Sequence, residues 1–162
     1  SSIKTPASIY EKLRRKNLPF TEESIVKNLD DVAGIRVICP FIGDIYTMAN
    51  LISSQDDITV LKIKDYIQKP KDNGYRSYHM IVEIPVFFSE GKAAMRAEIQ
   101  IRTIGMDFWA SLDHQLHYKK DISSLVDIAS IEDELRRCAE TVNLTDRHME
   151  EIKDLIGDVK DI

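Results

Sequence analysis

Cysteine is scarce in this chain, with two in 162 residues, and glycine (6), proline (5) and tryptophan (1) are sparse as well. Cys39 and Cys138 stand far apart with no CxxC spacing, which excludes a disulfide framework and a cysteine zinc centre; both are read as reduced core thiols. No run of about 18 apolar residues occurs, and the first residues lack the basic, apolar and small-residue order of a signal peptide. A soluble, cytosolic chain with no membrane partner is expected. The motifs GxxxxGK[ST], GxGxxG and GxSxG are absent, which removes the main support for P-loop, Rossmann and α/β-hydrolase readings.

What is present is charge, unevenly placed. The net charge is −5, yet residues 1–120 hold 17 Lys+Arg against 15 Asp+Glu, whereas residues 121–162 hold 5 against 12. A mildly basic body with clustered cations suits polyphosphates, and an acidic tail suits solvent or a protein partner. The length fits one globular body. The division expected is a catalytic or binding body over 1–120 and a helical extension over 121–162.

Thr5-Pro6 marks the start of a basic amphipathic helix through Lys16, and a short polar helix is expected over 21–29. The β-branched run from Val32 to Pro40 predicts a buried strand, followed by a helix over 43–53. Strands are expected over 58–67 and 76–88, the second carrying Pro85 at a bulge or an edge. Residues 95–103 alternate cleanly, with Glu98, Gln100 and Arg102 on one face and Ala97, Ile99 and Ile101 on the other. A helix over 104–118 follows, with Phe108, Trp109, Leu112 and Leu116 as packing residues. The tail repeats apolar residues at alternating three and four spacing from Ile128 to Val159, predicting one or two long amphipathic helices. The fold class is α+β: a mixed, largely antiparallel sheet with flanking helices.

Two carboxylates stand out by position. Asp31 enters the first strand and Glu98 lies on the polar face of the last, so the pair could share one magnesium ion, which takes one or two carboxylates plus phosphate oxygens and water. The same residues also fit a turn cap and a solvated strand face. The stretch Lys69 to His79 joins a cationic loop to a strand opened by aromatics, with Tyr75, Ser77 and His79 read on one face. A tyrosine there can stack on a purine while the cations meet phosphates; a basic hairpin loop with packed tyrosines fits equally. Arg36, in a strand read as buried, needs an anion or an aromatic face, whether nucleotide or structural ion pair. Lys12, Arg14, Arg15 and Lys16 suit ATP phosphates or simply a solvated helix face. His114 and His117 lack further ligands at useful spacing, so a zinc site is not expected.

Taken together, Asp31-Val32-Ala33-Gly34-Ile35-Arg36-Val37, Lys64-Asp65-Tyr66-Ile67, Asn73-Gly74-Tyr75-Arg76-Ser77-Tyr78-His79, Glu98 to Thr103 and Met106 to His114 resemble the synthetase domain of the RelA/SpoT homologue family, in particular the small alarmone synthetases. The resemblance spans nearly the whole chain. It implies a nucleotidyltransferase-like fold and magnesium-dependent transfer of pyrophosphate from ATP to the 3′ hydroxyl of GTP or GDP. It implies Asp31 as metal ligand, Glu98 as second ligand or base, and Arg76 near the transferred phosphates. By the same carry-over Tyr75 stacks on guanine, with Lys64, Lys71, Asn73, His79 and Gln100 on the acceptor side. Lys4, Lys12, Arg14, Arg15 and Arg36 fall on the ATP side.

Ser2-Ile3-Lys4 stands where relatives carry Arg-x-Lys, and Asp113 where they commonly carry glutamate. No hydrolase motif precedes the synthetase motifs, so breakdown of the product is not expected. Two other functions compete: a silent module that binds guanine nucleotide or RNA, and a synthetase that modifies the 3′ end of tRNA, which the acidic tail disfavours. The heptad-like tail fits core packing or a homo-oligomer, the family's short members favouring a tetramer. A product alarmone or single-stranded RNA is a further candidate ligand, and no DNA partner is expected.

Overall fold

The computed structural model describes residues 33–120 and 127–160. Asp31, Lys4, Lys12, Arg14 and Arg15, with both helices expected before residue 30, lie outside the described residues. Seven elements follow in order: β1 (Ala33–Cys39), α1 (Ile42–Ser53), β2 (Thr59–Asp65), β3 (Tyr78–Phe88), β4 (Gly91–Thr103), α2 (Ile104–Lys120) and α3 (Ile128–Lys160). The strands form one mixed sheet in the order β1-β4-β3-β2, an α+β fold as expected.

The clean alternation of β4 carries through: Met95, Ala97, Ile99 and Ile101 are buried, while Glu98 and Gln100 are half-buried and Arg96 is exposed. Met80 and Val82 of β3 are fully buried, and each such side chain removed from water contributes about 1.5–3 kcal/mol. β3 and β4 form a hairpin through Ser89 and Glu90, and Gly91 takes φ +133°, the positive region that short hairpin turns use. The hairpin extends β4 four residues before Met95. Tyr66 N–H donates to Ser77 O at 2.9 Å; counted antiparallel from that pair, Thr59 falls opposite Ile84. Pro85 therefore lies past the end of β2, on a stretch of β3 open on that side.

Two expectations about burial need correction. β1 ends the sheet order, and Arg36 and Ile38, two apart on one face of it, are exposed rather than buried, while Cys39 on the other face is buried. Cys138 is exposed whereas Cys39 is buried; on α3 it is the adjacent Ala139 that faces inward.

Two compact units divide the described residues. One takes 33–37, Met48–Lys64 and His79–Ile101; the other takes Ile38–Thr47, Asp65–Tyr78 and the residues from Arg102 on. Within the second unit α2 packs on α3, where Trp109 is 5% exposed and its indole N–H donates to Leu135 O at 2.8 Å. Thr103 caps α2, its Oγ1 accepting from Met106 N–H at 3.0 Å. α2 is less of a packing element than its composition suggests: Met106 and Trp109 are buried, but Phe108 is 59% exposed and Leu112 and Leu116 are exposed too. The tail forms a single helix of 33 residues. Its apolar stripe is half-buried at Ile131, Leu135 and Val142 and exposed at Met149, Ile152 and Ile156. Among the described residues no helix is long and apolar enough to cross a membrane.

Candidate active site

In the first unit, β3 and β4 bring together three of the sequence-predicted residues. His79 Nδ1 lies 3.3 Å from Glu98 Oε1, and Gln100 Nε2 donates to the same oxygen at 3.2 Å. Gln100 follows Glu98 at the strand period of two, which is why both project from one face. His79 is largely buried and the Glu98 side chain is 41% exposed, so the carboxylate is held from behind and open in front. Both contacts land on Oε1, so Oε2 carries neither of them. Lys64 lies half-buried near the end of β2, and Arg36 lies exposed on β1.

In the second unit, the turn over 71–75 is built by backbone and side-chain bonds together. Gly74 N–H donates to Lys71 O at 2.8 Å, Lys71 N–H to Tyr75 O at 3.1 Å, and Asn73 Oδ1 accepts from Tyr75 N–H at 2.9 Å. Gly74 holds φ +99°, and a Cβ there would fall 2.7 Å from the Ala139 methyl. Arg136 Nε donates to Asp72 O at 2.9 Å, so α3 backs this turn at two points. Asn73 thus shapes the loop through its amide oxygen.

Of Tyr75, Ser77 and His79, only His79 lies on β3; Tyr75 and Ser77 precede it, and Ser77 and Tyr78 are both buried. The turn places Tyr75 instead. Its ring meets Tyr66 edge-on at 6.0 Å between centroids, and Lys71 Nζ lies 4.9 Å from the Tyr66 ring and 5.2 Å from the Tyr75 ring. Tyr66 is fixed by its neighbour Asp65, whose Oδ1 accepts from Ile67 and Gln68 N–H while Oδ2 accepts from Tyr46 O–H at 2.9 Å. Burial, then the Asp65 bond, pushes the Tyr46 phenol up to about 12.

Arg76 turns toward α3. Its Nη1 donates to Gly74 O at 3.2 Å, and its Nε is buried without a hydrogen bond beside Trp109, Ala139 and Asn143. Burial lowers its pKa, the Glu140 carboxylate opposes that shift and Arg147 adds to it.

Sequence reasoning missed the role of Arg102. Its Nη2 donates to Tyr75 Oη at 2.7 Å and its Nε to Ser77 Oγ at 3.4 Å; both partners lie more than twenty residues away in the chain, and the alternation of β4 signals only the face on which Arg102 stands.

These positions correspond to a known group. The signature described as a region found in RelA / SpoT proteins matches residues 1–123. The GTP pyrophosphokinase YwaC of Bacillus subtilis is 44% identical over 155 residues, covering 94% of this chain and 71% of that protein. The crystal structure of small alarmone synthetase 2 from Bacillus subtilis aligns with TM-score 0.73 and 43% identity over 94% of this chain and 78% of that one. Small alarmone synthetase 1 from the same organism, bound to its product pppGpp, aligns with TM-score 0.73 and 36% identity over 96% and 77%. On the signature, the identity and the shared fold, the chain belongs to the RelA/SpoT family.

Proposed function

We propose that this chain is a GTP pyrophosphokinase that moves the β,γ-pyrophosphoryl group of ATP onto the 3′ hydroxyl of GTP or GDP, yielding an alarmone and AMP. The observation that carries the reading is the Glu98 carboxylate, held through Oε1 by His79 and Gln100 with Oε2 outside both contacts. A carboxylate fixed in this way suits a general base. The 3′ oxygen gives its proton to Glu98 and bonds to the β-phosphorus, the bond from that phosphorus to the α,β-bridging oxygen breaks, and AMP leaves with the bridging oxygen.

Tyr75 would stack on guanine, with Lys64, Lys71, Asn73, His79 and Gln100 around the acceptor and Arg76 toward the transferred phosphates. Arg36, Lys4, Lys12, Arg14 and Arg15 would serve ATP. Pyrophosphokinases of this kind generally use a divalent metal. Magnesium suits the donors, since Glu98 and Asp31 supply carboxylates and the nucleotide supplies the rest. Among the described residues no group of three His, Cys, Asp or Glu side chains could hold an ion unaided. When bound, magnesium would offset the charge that passes between phosphate oxygens.

Residues 1–120 would form the synthetase body and 121–162 the extension. The exposed Phe108 and Leu112 on α2, and Met149, Ile152 and Ile156 on α3, favour a homo-oligomer, a tetramer being the proposed form. We place the protein in the cytoplasm, with product alarmone or single-stranded RNA as regulatory ligands.

The test incubates the protein with magnesium, labelled ATP and GDP, GTP, GMP or tRNA in turn. Label on GDP or GTP with AMP release supports the reading. Label on tRNA alone, or nucleotide binding without AMP release, replaces it with the toxin-like or the silent binding function. Glu98→Gln and Asp31→Asn should each lower AMP release by about 10²–10⁴-fold with an unchanged melting profile.

A further inference from the structure

We infer that Arg102 is a positioning residue for the guanine-stacking ring, holding Tyr75 in its binding orientation before the acceptor arrives. The inference rests on the proposal that Tyr75 stacks on guanine. Arg102 ends β4 with its side chain 8% exposed. Its three nitrogens diverge to separate partners: Nη2 donates to Tyr75 Oη at 2.7 Å, Nη1 meets Asp107 Oδ1 at 3.1 Å, and Nε reaches Ser77 Oγ at 3.4 Å. Ser77 is fully buried and Asp107 stands in the first turn of α2, so the guanidinium is anchored at both ends before it meets the phenol.

A planar, rigid fork of this kind fixes direction as well as distance, which a lysine cannot do. Tyr75 needs such a fix. It sits in a turn rather than in a strand. Its backbone is set by Asn73 and Gly74, its ring edge meets Tyr66, and its hydroxyl meets Arg102. A stacking ring left to rotate must be immobilised on binding, and that ordering cost weakens the complex without touching the reacting atoms. Arg102 therefore contributes to acceptor affinity and specificity, not to the transfer step.

The test measures GDP binding by calorimetry and steady-state turnover for the full chain and for Arg102→Lys, Tyr75→Phe and the double variant. Both single variants should weaken GDP binding by about 3- to 10-fold, and the double variant should be no weaker than the poorer single one, because both break the same bond. In Arg102→Lys, KM for ATP and kcat at saturating GDP should stay within about twofold. Tyr75→Phe keeps the ring and leaves Arg102 in place, so it reports on the bond even if Arg102→Lys folds poorly. Unchanged GDP affinity in Tyr75→Phe, or losses that multiply in the double variant, would overturn the inference. Tyr75→Ala separates the two claims: if it binds GDP as well as the parent, stacking itself fails and the inference with it. If it loses binding while Tyr75→Phe does not, stacking stands and only the role of Arg102 falls.

Discussion

Thr103 and Asp146 meet at 2.6 Å, the threonine hydroxyl donating to the carboxylate while its oxygen accepts from Met106 N–H. One hydroxyl thus closes the N-terminus of α2 and docks α3 against it. Gly105 leaves room for this approach, since a Cβ there would stand 2.8 Å from Val142 Cγ1 and 3.0 Å from Asp146 Oδ1. Thr103→Val keeps the volume and removes both bonds. It should lower the unfolding free energy by about 1–2 kcal/mol in urea titrations, whereas Thr103→Ser retains most of it.

Burial raises the pKa of Asp146, the Thr103 bond opposes that shift, and the Glu150 carboxylate adds to it. A carboxyl that holds its proton more tightly folded than unfolded favours the native state while protonated. That contribution is complete below the ordinary carboxylate range and is lost as pH rises through the raised folded value. Asp146→Asn should remove the slope in this window and gain roughly a few tenths of a kcal/mol at neutral pH, a small figure because the group is partly solvated. A steeper slope in the variant, read from urea midpoints against pH, contradicts the account.

Tyr46 governs the alkaline limit. With its phenol pushed up to about 12 by burial and by the bond to Asp65, the folded state holds this proton where an unfolded tyrosine has released it. Stability present below about pH 10 should therefore fall between pH 10 and about 12. Tyr46→Phe should flatten that fall in thermal melts taken across the window.

His79→Ala should weaken catalysis without abolishing it. Gln100 still holds Oε1 of Glu98 in this variant, so kcat is expected to drop by roughly 10–100-fold, the usual loss when an orienting partner is removed. Glu98→Gln added to His79→Ala should then cost little more than Glu98→Gln alone, since both act through one carboxylate.

At Gly74 two penalties coincide, a positive φ and a methyl 2.7 Å from any added Cβ. Gly74→Ala should cost about 1–3 kcal/mol, measurable by chemical denaturation, and should weaken GDP binding because Tyr75 is next in the turn. Adding Ala139→Gly should recover only the steric part of the loss.

The parts of the fold legible in the sequence are those with a local period. β4 alternates because each of its faces has a constant environment, and α3 forms as one helix along the apolar spacing of the tail. The edge position of β1 was not legible, since a β-branched run looks alike in a central and in a terminal strand. Nor was the outward face of Cys138, one position from the inward Ala139, because the heptad stripe fixes a helix face only to within a residue. At the site, strand parity puts Glu98 and Gln100 on one face, whereas the roles of Gln100 and His79 come from the family resemblance. Arg102 could not be paired, because its partners Tyr75 and Ser77 come from a turn whose path depends on Gly74 and on α3.

The contact between Gly74 and Ala139 also limits how the sequence can drift. Two positions 65 residues apart share space for one methyl group, so position 74 must stay a glycine while 139 stays no larger than alanine. Any redesign of α3 for a new assembly inherits that restriction: its outward residues are open to exchange, but a bulkier side chain at 139 would rewrite the loop that presents Tyr75.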